Sequence, residues 1–222
     1  MKAQVLLPKI FNFSFTYNSN NISLKVGDLV EVPFGKNNEI GVVWKQKNDE
    51  LKKIKIKNIK KKLEKYSINK SLVDFIDWFS AYNMVSLGLT LKMVIGNKDN
   101  YTKKIDPGFN KNKKRKKIFK LNNEQKNAFE YLDLVKNKFD VSVLQGTTGS
   151  GKTLVYFERI KKIIDKNKQA LVLLPEIFLT NEFKSRFEDF FGFEPAIWHS
   201  KINPKNKRII WKGIIDNKIK LI

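Results

Sequence analysis

Short runs in which apolar and polar residues alternate dominate the first sixty residues of this chain. Alternation with a period of two is typical of β-strands, and Gly, Asn and Asp between the runs favour turns. The pattern therefore predicts a small β-rich domain over residues 1–63. Its predicted strands are Gln4–Leu7, Phe11–Tyr17, Leu29–Val32 and Ile40–Trp44, with turns at residues 26–28 and 34–38.

The second of these runs carries an aromatic residue at every other position. Phe11, Phe13, Phe15 and Tyr17 would therefore share one face of a strand. Packing in the core is the simpler interpretation of such a stripe. The alternative is a surface on which nucleic-acid bases stack beside basic residues.

Lysine dominates the stretch that follows, and helical patterns come next. Residues 52–65 contain eight lysines and one acid, Glu64. This composition indicates either an edge strand with one solvated face or a track that faces phosphates. Apolar spacing then predicts a helix that includes residues 72–79 and a second helix from about Leu87 to Ile95. We assign residues 64–95 to a helical extension of the β-rich domain.

Residues 96–120 differ from the rest because Gly, Asn and Lys are frequent in them. The run from Lys111 to Lys117 holds six basic residues and one Asn. Such a composition predicts a solvated basic linker, which can also contact phosphates.

From residue 121 onward, strand and helix patterns alternate, which is typical of an α/β fold with a parallel sheet. Asn122 or Asn123 is a candidate N-cap for a helix that ends near Val135. The later predicted strands are Val141–Leu144, Ala170–Leu174, Ile197–Ser200 and Lys218–Ile222, and the later predicted helices cover residues 154–164, 181–191 and 209–215.

The strongest chemical signal is the sequence Gly-Thr-Thr-Gly-Ser-Gly-Lys-Thr at residues 146–153. It fits the P-loop pattern G-x-x-x-x-G-K-[ST] and lies between a predicted strand and a predicted helix, as the pattern requires. Glycines let the backbone wrap a phosphate, and the helix N-terminus attracts negative charge. Lys152 would contact the β- and γ-phosphates of ATP, and Thr153 would bind Mg²⁺. The predicted nucleotide-binding residues are Gly146, Thr147, Thr148, Gly149, Ser150, Gly151, Lys152 and Thr153, of which the last two carry the catalytic roles.

Composition narrows the class of partner. The chain has 44 basic and 22 acidic residues, and its net charge of +22 favours a polyanion such as nucleic acid over a membrane. Only four of the basic residues are Arg, a bias that AT-rich coding also produces. The absence of cysteine excludes disulfides and cysteine-ligated zinc within this sequence. No signal peptide and no apolar run of about 20 residues is present, so we expect a cytoplasmic protein without a membrane span.

Several motifs occur in the order found in one helicase family. Residues 121–125 resemble the Q-type motif of superfamily-2 helicases, residues 146–153 resemble motif I, and residues 171–180 resemble motif Ia in its primosomal form. The pair His199-Ser200, and residues 32–35 followed by 40–43, fit the same family. Over nearly its whole length the chain thus resembles the primosomal protein N′ family, the PriA replication-restart DNA helicases.

This resemblance implies a fold class and a function. The expected fold is a small β-rich DNA-binding domain followed by a partial RecA-like P-loop helicase lobe at residues 121–222. The implied activity is ATP-dependent unwinding of DNA with 3′ to 5′ polarity in replication restart, with ATP and Mg²⁺ as cofactors. Forked DNA, single-stranded/duplex junctions, the primosome and single-strand-binding proteins are the implied partners, in the bacterial cytoplasm at the nucleoid.

The resemblance also implies site residues outside the P-loop. Gln125 would recognise adenine through its amide, or else face solvent. The pocket that holds the 3′ end of a DNA strand would contain Phe15, Thr16, Tyr17, Gly35 and Lys52. The family usually has Asp where Thr16 stands here. Because a hydroxyl is neutral and shorter than a carboxylate, we expect weaker or altered recognition of the end.

The chain lacks other parts of the family pattern. Residues 96–120 are too short for the winged-helix domain expected there. No acidic Walker B segment, second helicase lobe, arginine finger or set of zinc-binding cysteines occurs before Ile222, so zinc belongs only to the intact family member. We therefore expect an N-terminal fragment that does not hydrolyse ATP alone. The alternatives are a non-enzymatic module that binds DNA and nucleotide, or another P-loop motor on nucleic acid.

Overall fold

Two structural units make up the chain, residues 1–103 and residues 104–222. The computed structural model describes residues 1–45, 56–103, 117–134, 139–175 and 181–222. Within these ranges, no helix combines the length and the apolar character that a membrane crossing needs.

The first unit is built on a five-stranded antiparallel sheet, as the alternating pattern predicts. Its strands lie in the order β2-β1-β4-β3-β5, so that β2 and β5 form the edges. Residues that lie opposite each other in the ladders include Gln4 with Thr16 and Leu29 with Val42. The strands are β1 (Lys2–Leu6), β2 (Phe15–Asn18), β3 (Asp28–Phe34), β4 (Asn37–Val43) and β5 (Lys61–Ser67).

A two-residue turn joins β3 to β4. Phe34 pairs with Asn37 at the end of the ladder, which leaves Gly35 and Lys36 as the loop. Gly35 has a φ of 59°, a value that a residue with a side chain rarely adopts and that two-residue hairpins demand.

Three helices complete the first unit: α1 (Lys70–Tyr82), α2 (Leu87–Ile95) and α3 (Asp99–Thr102). Asn69 caps α1, because its side chain accepts a hydrogen bond from the Leu72 N–H at 2.9 Å. The helices supply Val73, Ile76 and Leu91, all fully buried, to the core on one face of the sheet. A second cluster covers the other face and includes Val5, Leu7, Tyr17, Val30, Val32 and Ile59.

The second strand is shorter than its aromatic alternation predicts. β2 begins at Phe15, whereas Phe11 and Phe13 lie in the connection before it. The backbone of that connection is bonded to the start of α2 instead: the Phe11 carbonyl accepts from the Gly88 N–H at 2.9 Å, and Asn12 Oδ1 accepts from the Leu87 N–H at 3.0 Å. The predicted strand from Phe11 is therefore wrong in its first half.

The last part of the lysine-rich stretch forms an edge strand. β5 pairs with β3 at Val30 and Lys62, and the Lys62 ammonium lies 3.0 Å from the buried carboxylate of Asp28. This hydrogen bond raises the pKa of Lys62 above its ordinary value. The edge-strand interpretation thus holds for residues 61–65, while residues 46–55 lie outside the described part of the chain.

Helices provide the regular structure described in the second unit: α4 (Asn123–Leu134), α5 (Lys152–Asp165), α6 (Asn181–Phe191) and α7 (Pro204–Ile215). Phe157 of α5 is 1% exposed and is surrounded by aromatic rings. Its ring centroid lies 5.2–6.1 Å from those of Tyr156, Phe183, Phe187, Phe190 and Phe191.

The predicted parallel strands of this unit are reduced to a single bridge within the described ranges. Ala170 pairs in parallel with Leu221, and the Val172 N–H donates to the Ile222 carbonyl at 2.8 Å. Residues 141–144 and 197–200 form no strand. Val143 is 88% exposed instead of buried. A parallel strand needs partners from distant parts of the sequence, and none of the described segments pairs with residues 141–144.

The helix at residues 204–215 begins five residues before its predicted start at 209. Asn203 caps it by accepting a hydrogen bond from the Asn206 N–H at 2.8 Å, and Pro204 occupies the first turn. Both residue types are favoured at helix starts. An expectation based on apolar spacing misses this polar first turn.

Candidate functional site

The eight-residue P-loop leads directly into the N-terminus of α5. Residues 146–150 are exposed, and Lys152 is the first residue of the helix. Gly149 and Gly151 have φ values of 83° and 82°, which place both in the left-handed region. The glycines at these two positions therefore allow a backbone path that other residues would adopt only with strain.

Lys152 folds back over the loop that precedes it. Its ammonium donates to the carbonyl oxygens of Gly146 at 2.6 Å and Thr147 at 2.7 Å. The charge is therefore held inside the turn of the loop, where the sequence motif predicts contact with phosphates. Thr153 follows in the first turn of α5, and its Oγ1 accepts a hydrogen bond from the Tyr156 hydroxyl at 3.3 Å.

Gln125 connects α4 to the P-loop. Its backbone N–H donates to Asn122 Oδ1 at 2.8 Å, while its Oε1 accepts from the Asn122 N–H at 3.0 Å. This reciprocal arrangement is a capping box. The other end of the amide, Nε2, donates to the Ser150 carbonyl at 3.1 Å. Gln125 thus lies beside the nucleotide motif, as predicted, while its role toward adenine stays a prediction.

The Gln125 amide lies close to the backbone at Gly151. A Cβ atom added at Gly151 would lie 2.3 Å from Gln125 Nε2, whereas a Cβ added at Gly149 would have no atom within 4 Å. Because this amide is the movable end of a flexible side chain, the left-handed φ of Gly151 is the stronger reason for glycine here. Gly149 leaves open space on the loop.

The residues present fit an ATP phosphate chain with its Mg²⁺. The loop offers an exposed backbone, an open glycine at 149 and the N-terminus of a 14-residue helix. Lys152 supplies a positive charge and Thr153 a hydroxyl oxygen, which is a ligand type that Mg²⁺ accepts. Elsewhere in the described ranges, no group of three or more His, Asp or Glu side chains is arranged to hold a metal ion.

An ionic cluster holds α4 against α5 behind the loop. The Asp133 carboxylate is bonded to the Arg159 guanidinium and lies 2.9 Å from the Lys162 ammonium. The same ammonium is 4.5 Å from the centre of the Phe129 ring. Arg159 thus pairs α5 with α4.

The candidate DNA residues of the first unit lie where β2 meets the β3–β4 turn. The Phe15 and Phe34 ring centroids are 5.4 Å apart, and the Tyr17 hydroxyl donates to the Pro33 carbonyl at 3.2 Å. These two contacts bring Phe15 and Tyr17 next to the segment that ends in Gly35. A Cβ atom added at Gly35 would meet nothing within 4 Å, so the tip of the turn is open.

Tyr17 is mostly an internal residue. It is 4% exposed, and burial raises the pKa of its phenol above the ordinary value. Its hydroxyl supports the backbone at Pro33, just before the turn. Core packing is thus confirmed as one function of the aromatic stripe, while Phe13, 56% exposed, keeps a face toward solvent.

Thr16 faces the opposite side of β2 from its two aromatic neighbours, since side chains alternate along a strand. Its Oγ1 accepts a hydrogen bond from Gln4 Nε2 at 3.0 Å, and Gln4 Oε1 in turn accepts from the Ser14 hydroxyl at 3.2 Å. The structure therefore does not bring Thr16 together with Phe15 and Tyr17. Lys52, which completes the sequence-derived set, lies outside the described residues.

Two residues at this place were not singled out from the sequence. Phe34 contacts both Phe11, with ring centroids 5.9 Å apart, and Phe15. The Lys9 ammonium lies 5.9 Å from the Phe34 centroid and 2.9 Å from the Glu39 carboxylate. The position of Phe34 directly before the turn glycine is the signal that could have identified it.

Sequence comparison gives two family matches that follow the two units. Residues 4–96 match the 3'DNA-binding domain (3'BD) of PriA. Residues 118–221 match the family described as type III restriction enzyme, res subunit. These matches confirm the expected fold class, a small β-rich DNA-binding domain followed by part of a P-loop helicase lobe.

Similar curated proteins carry the name replication restart protein PriA. The chain is 37% identical to the one from Rickettsia conorii and 38% identical to the one from Rickettsia prowazekii, each over 99% of this chain and 34% of the relative. It is also 37% identical to the Bacillus subtilis protein, over 53% of this chain and 15% of that protein. The chain thus spans about a third of the length of the Rickettsia relatives.

Proposed function

We propose that this chain works as a member of the PriA family of replication restart proteins, in ATP-dependent DNA unwinding with 3′ to 5′ polarity. Forked DNA and single-stranded/duplex junctions are the proposed substrates, and ATP with Mg²⁺ is the proposed cofactor pair. The observation that carries the proposal is the P-loop geometry, in which Gly149, Gly151 and Lys152 line one turn at the start of α5.

When bound, ATP would supply the phosphoryl group whose transfer releases the free energy for unwinding. The residues of this chain would position it: Lys152 would leave the carbonyls of residues 146 and 147 to bind the phosphates, and Thr153 would offer its hydroxyl to Mg²⁺. The helix dipole of α5 would add to the attraction. Gln125 would contact the adenine edge with the amide that now bonds to the loop.

In the first unit, we propose that residues next to the β3–β4 turn hold the 3′ end of a DNA strand. Phe15 offers a half-buried ring for a base, and Gly35 leaves the turn open for close approach of the sugar. The Tyr17 hydroxyl supports the backbone just before the turn. Lys52 belongs to the proposed set as well, whereas Thr16, which faces the other side of β2, would act on the bound end only indirectly. The surrounding excess of lysine would bind the phosphate backbone, with affinity that falls as salt rises.

Nucleotide binding tests the P-loop part of the proposal. Replacing Lys152 with Ala removes a charged donor, and we expect a loss of about ten- to a hundredfold in MgATP affinity. Lys161→Ala is the matched control, because Lys161 lies on the same helix, outside the loop, and forms an ion pair with Glu158. Isothermal titration with a non-hydrolysable ATP analogue gives both affinities, and equal affinities would contradict the assigned role.

Recognition of the DNA 3′ end tests the binding site proposed for the first unit. Fluorescence anisotropy would compare DNA with a free 3′-hydroxyl and DNA with a 3′-phosphate, at several salt concentrations. We expect the free end to bind more tightly and Phe15→Ala to remove the difference. Phe119→Ala is the control, since Phe119 lies in the second unit and is 37% exposed. Equal binding of both DNAs by the unchanged chain would reduce the first unit to a general basic contact.

An ATPase assay on the chain with forked DNA decides between turnover and binding alone. Turnover that Lys152→Ala abolishes would support a motor, whereas nucleotide binding without turnover would support a non-enzymatic DNA- and nucleotide-binding module. By family, primosome and single-strand-binding proteins are the proposed partners, in the bacterial cytoplasm at the nucleoid.

A further inference from the structure

A groove of about 530 Å³ lies beside the sheet of the first unit. Its floor is apolar: Ile40 and Ile95, each 2% exposed, are flanked by Leu89 and the ring of Tyr101. The volume falls within the range of sites that hold small organic groups, about 300–1,000 Å³. Apolar side chains of this kind suit the face of a nucleobase.

Three lysines form the rim of the groove. Lys9 is paired with Glu39, and the Lys98 ammonium donates to the Asn38 carbonyl at 3.4 Å. Lys92 is exposed, and none of the described carboxylates lies within ion-pair distance of it. Glu39 is the single acid among the lining residues. The rim therefore has an excess of two positive charges, carried by Lys92 and Lys98.

The two walls of the groove are held together by backbone contacts. A Cβ atom at Gly88, in α2, would lie 2.1 Å from the Lys9 carbonyl oxygen, so the chain after β1 is pressed directly against the helix. The hydrogen bonds from Leu87 to Asn12 and from Gly88 to Phe11 fix the same contact. The groove is therefore a built feature of the fold and does not depend on side-chain rotamers alone.

Lys9 links the groove to the turn at which the DNA end is proposed to bind. It lines the groove, and its ammonium also lies 5.9 Å from the centroid of Phe34, the residue before Gly35. Ile40 of the groove floor packs in the cluster on the helix-covered face of the sheet, whereas Phe34 packs against the cluster on the other face. A strand whose end lies at the turn would therefore have to pass Lys9 to reach the groove.

We propose that this groove binds a nucleotide of the DNA strand next to the one at the 3′ end, with its base on the apolar floor and its phosphate at Lys92 and Lys98. The proposal rests on the DNA-binding function proposed above for the first unit. Two negative features would repel a phosphate here: the carbonyl end of α2 and the Glu39 carboxylate. Lys92, in the last turn of α2, offsets the first, and Lys9, which pairs with Glu39, offsets the second.

A double substitution, Lys92→Gln with Lys98→Gln, tests the binding of the phosphate. The control is Lys2→Gln with Lys25→Gln, which removes the same charge from exposed lysines outside the groove. Anisotropy with single-stranded DNA would be measured over a salt series, for 3′-hydroxyl and 3′-phosphate ends. We expect the groove variant to bind both DNAs at least about fivefold more weakly than the control does. Its salt slope should fall by about 0.7 for each phosphate that the variant no longer neutralises.

Comparing DNA with a 3′-hydroxyl and DNA with a 3′-phosphate distinguishes failure of the groove from failure of the end pocket. A groove variant that loses affinity and keeps the preference for the free end supports a groove separate from the end pocket. If the unchanged chain shows no end preference but the groove variant still weakens binding, the groove stands and the end pocket fails. A loss no greater than that of the control, or no DNA binding by the unchanged chain, overturns the groove proposal.

The apolar floor has its own test. DNA that lacks the base at the penultimate position should bind the unchanged chain about fivefold or more weakly than intact DNA. In Leu89→Asn, where a 36% exposed side chain is changed, this difference should shrink. Equal binding of intact and abasic DNA by the unchanged chain would contradict a base on the floor. Thermal unfolding of each variant confirms that the fold is kept.

Discussion

The two units of this chain differ in how their apolar segments pair and become buried. In the first unit, five antiparallel strands find their partners within one sheet, and both sheet faces are covered by apolar clusters. In the second unit, helices pack around Phe157, while the apolar segments near the P-loop remain exposed. Val143 is 88% and Leu173 83% exposed, whereas Val30 and Val32 in β3 are fully buried.

The difference follows from how each kind of strand finds its neighbour. An antiparallel strand can pair with its neighbour across a short turn, as β3 and β4 do at Gly35 and as a parallel strand cannot, although β1 with β4 and β3 with β5 pair over longer separations. A parallel strand pairs with a segment that is separated by at least one helix. Ala170 and Leu221, which lie far apart in the sequence, form such a contact here. Equal apolar character therefore leads to burial in one unit and to exposure in the other.

The largest expected effect comes from placing a charge in each kind of segment. Val32→Lys puts an ammonium into the covered face of β3, and we expect a loss of about 4 kcal/mol or more in the free energy of unfolding. Val143→Lys should change it by less than about 0.5 kcal/mol, because that side chain faces solvent. Urea titration, with amide exchange followed by mass spectrometry in each unit, gives the change in the free energy of unfolding for both variants. A large loss from Val143→Lys would mean that residues 141–144 are buried in solution.

The aromatic core of the second unit gives the next largest effect. Phe157→Ala removes a 1% exposed ring from the centre of the aromatic cluster, and we expect a loss of about 3–5 kcal/mol. Phe139→Ala is the matched control, since that ring is 95% exposed. Urea titration followed by amide exchange in α5 and α6 measures both. Similar losses for the two variants would show that the core of this unit does not depend on Phe157.

The capping box of α4 should contribute less. Asn122→Ala removes the acceptor for the Gln125 N–H, with an expected cost of about 1 kcal/mol. Asn127→Ala changes the same residue type inside the helix, where alanine is favoured, and should not destabilise it. Exchange rates of the amides of residues 124–126 report the difference. Unchanged protection in Asn122→Ala would indicate that the Gln125–Ser150 bond alone holds the helix start.

The smallest effect concerns an exposed ion cluster of the first unit. The Lys45 ammonium lies 2.8 Å from carboxylate oxygens of both Asp74 and Asp77, and its hydrogen bond lowers the pKa of Asp74 below the ordinary 3.8. A lowered folded pKa stabilises the fold above the unfolded pKa, and the gain is lost as pH falls through the folded pKa. Lys45→Gln should raise the pKa of Asp74, measured by carboxyl NMR, while Lys2→Gln should not. An unchanged Asp74 titration in Lys45→Gln would contradict this pairing.

Much of the fold could be predicted because its signals are local. The spacing of apolar residues in α2 and α6 gives their observed bounds, Leu87–Ile95 and Asn181–Phe191. Gly35 marks the β3–β4 turn because the backbone there has a positive φ, which glycine adopts without strain. The start of β2 and the pairing of residues 141–144 depend instead on distant partners, such as the Leu87 and Gly88 amides that bind residues 11–12. No periodicity in one segment reports such contacts.

The candidate sites show the same limit. The P-loop prediction comes from eight consecutive residues, and the structure places them in one turn before α5, while their binding of nucleotide stays a prediction. Gln125 lies beside this loop and bonds to Ser150, and its role toward adenine also stays a prediction. The grouping at the turn was predicted only in part: Thr16 faces away from Phe15 and Tyr17, while Phe34 and Lys9 join the site through packing across β2, β3 and the chain after β1.

The aromatic contacts around Phe157 also fix the helix at the end of the P-loop. The residue lies in the second turn of α5, just after the phosphate-binding segment, so sliding or tilting the helix would separate several packed rings. The backbone before the helix is less restricted, because Gly149 and Gly151 carry no side chain. A loop that adjusts to a bound phosphate would therefore change its conformation at these two glycines, while the start of α5 stays in place.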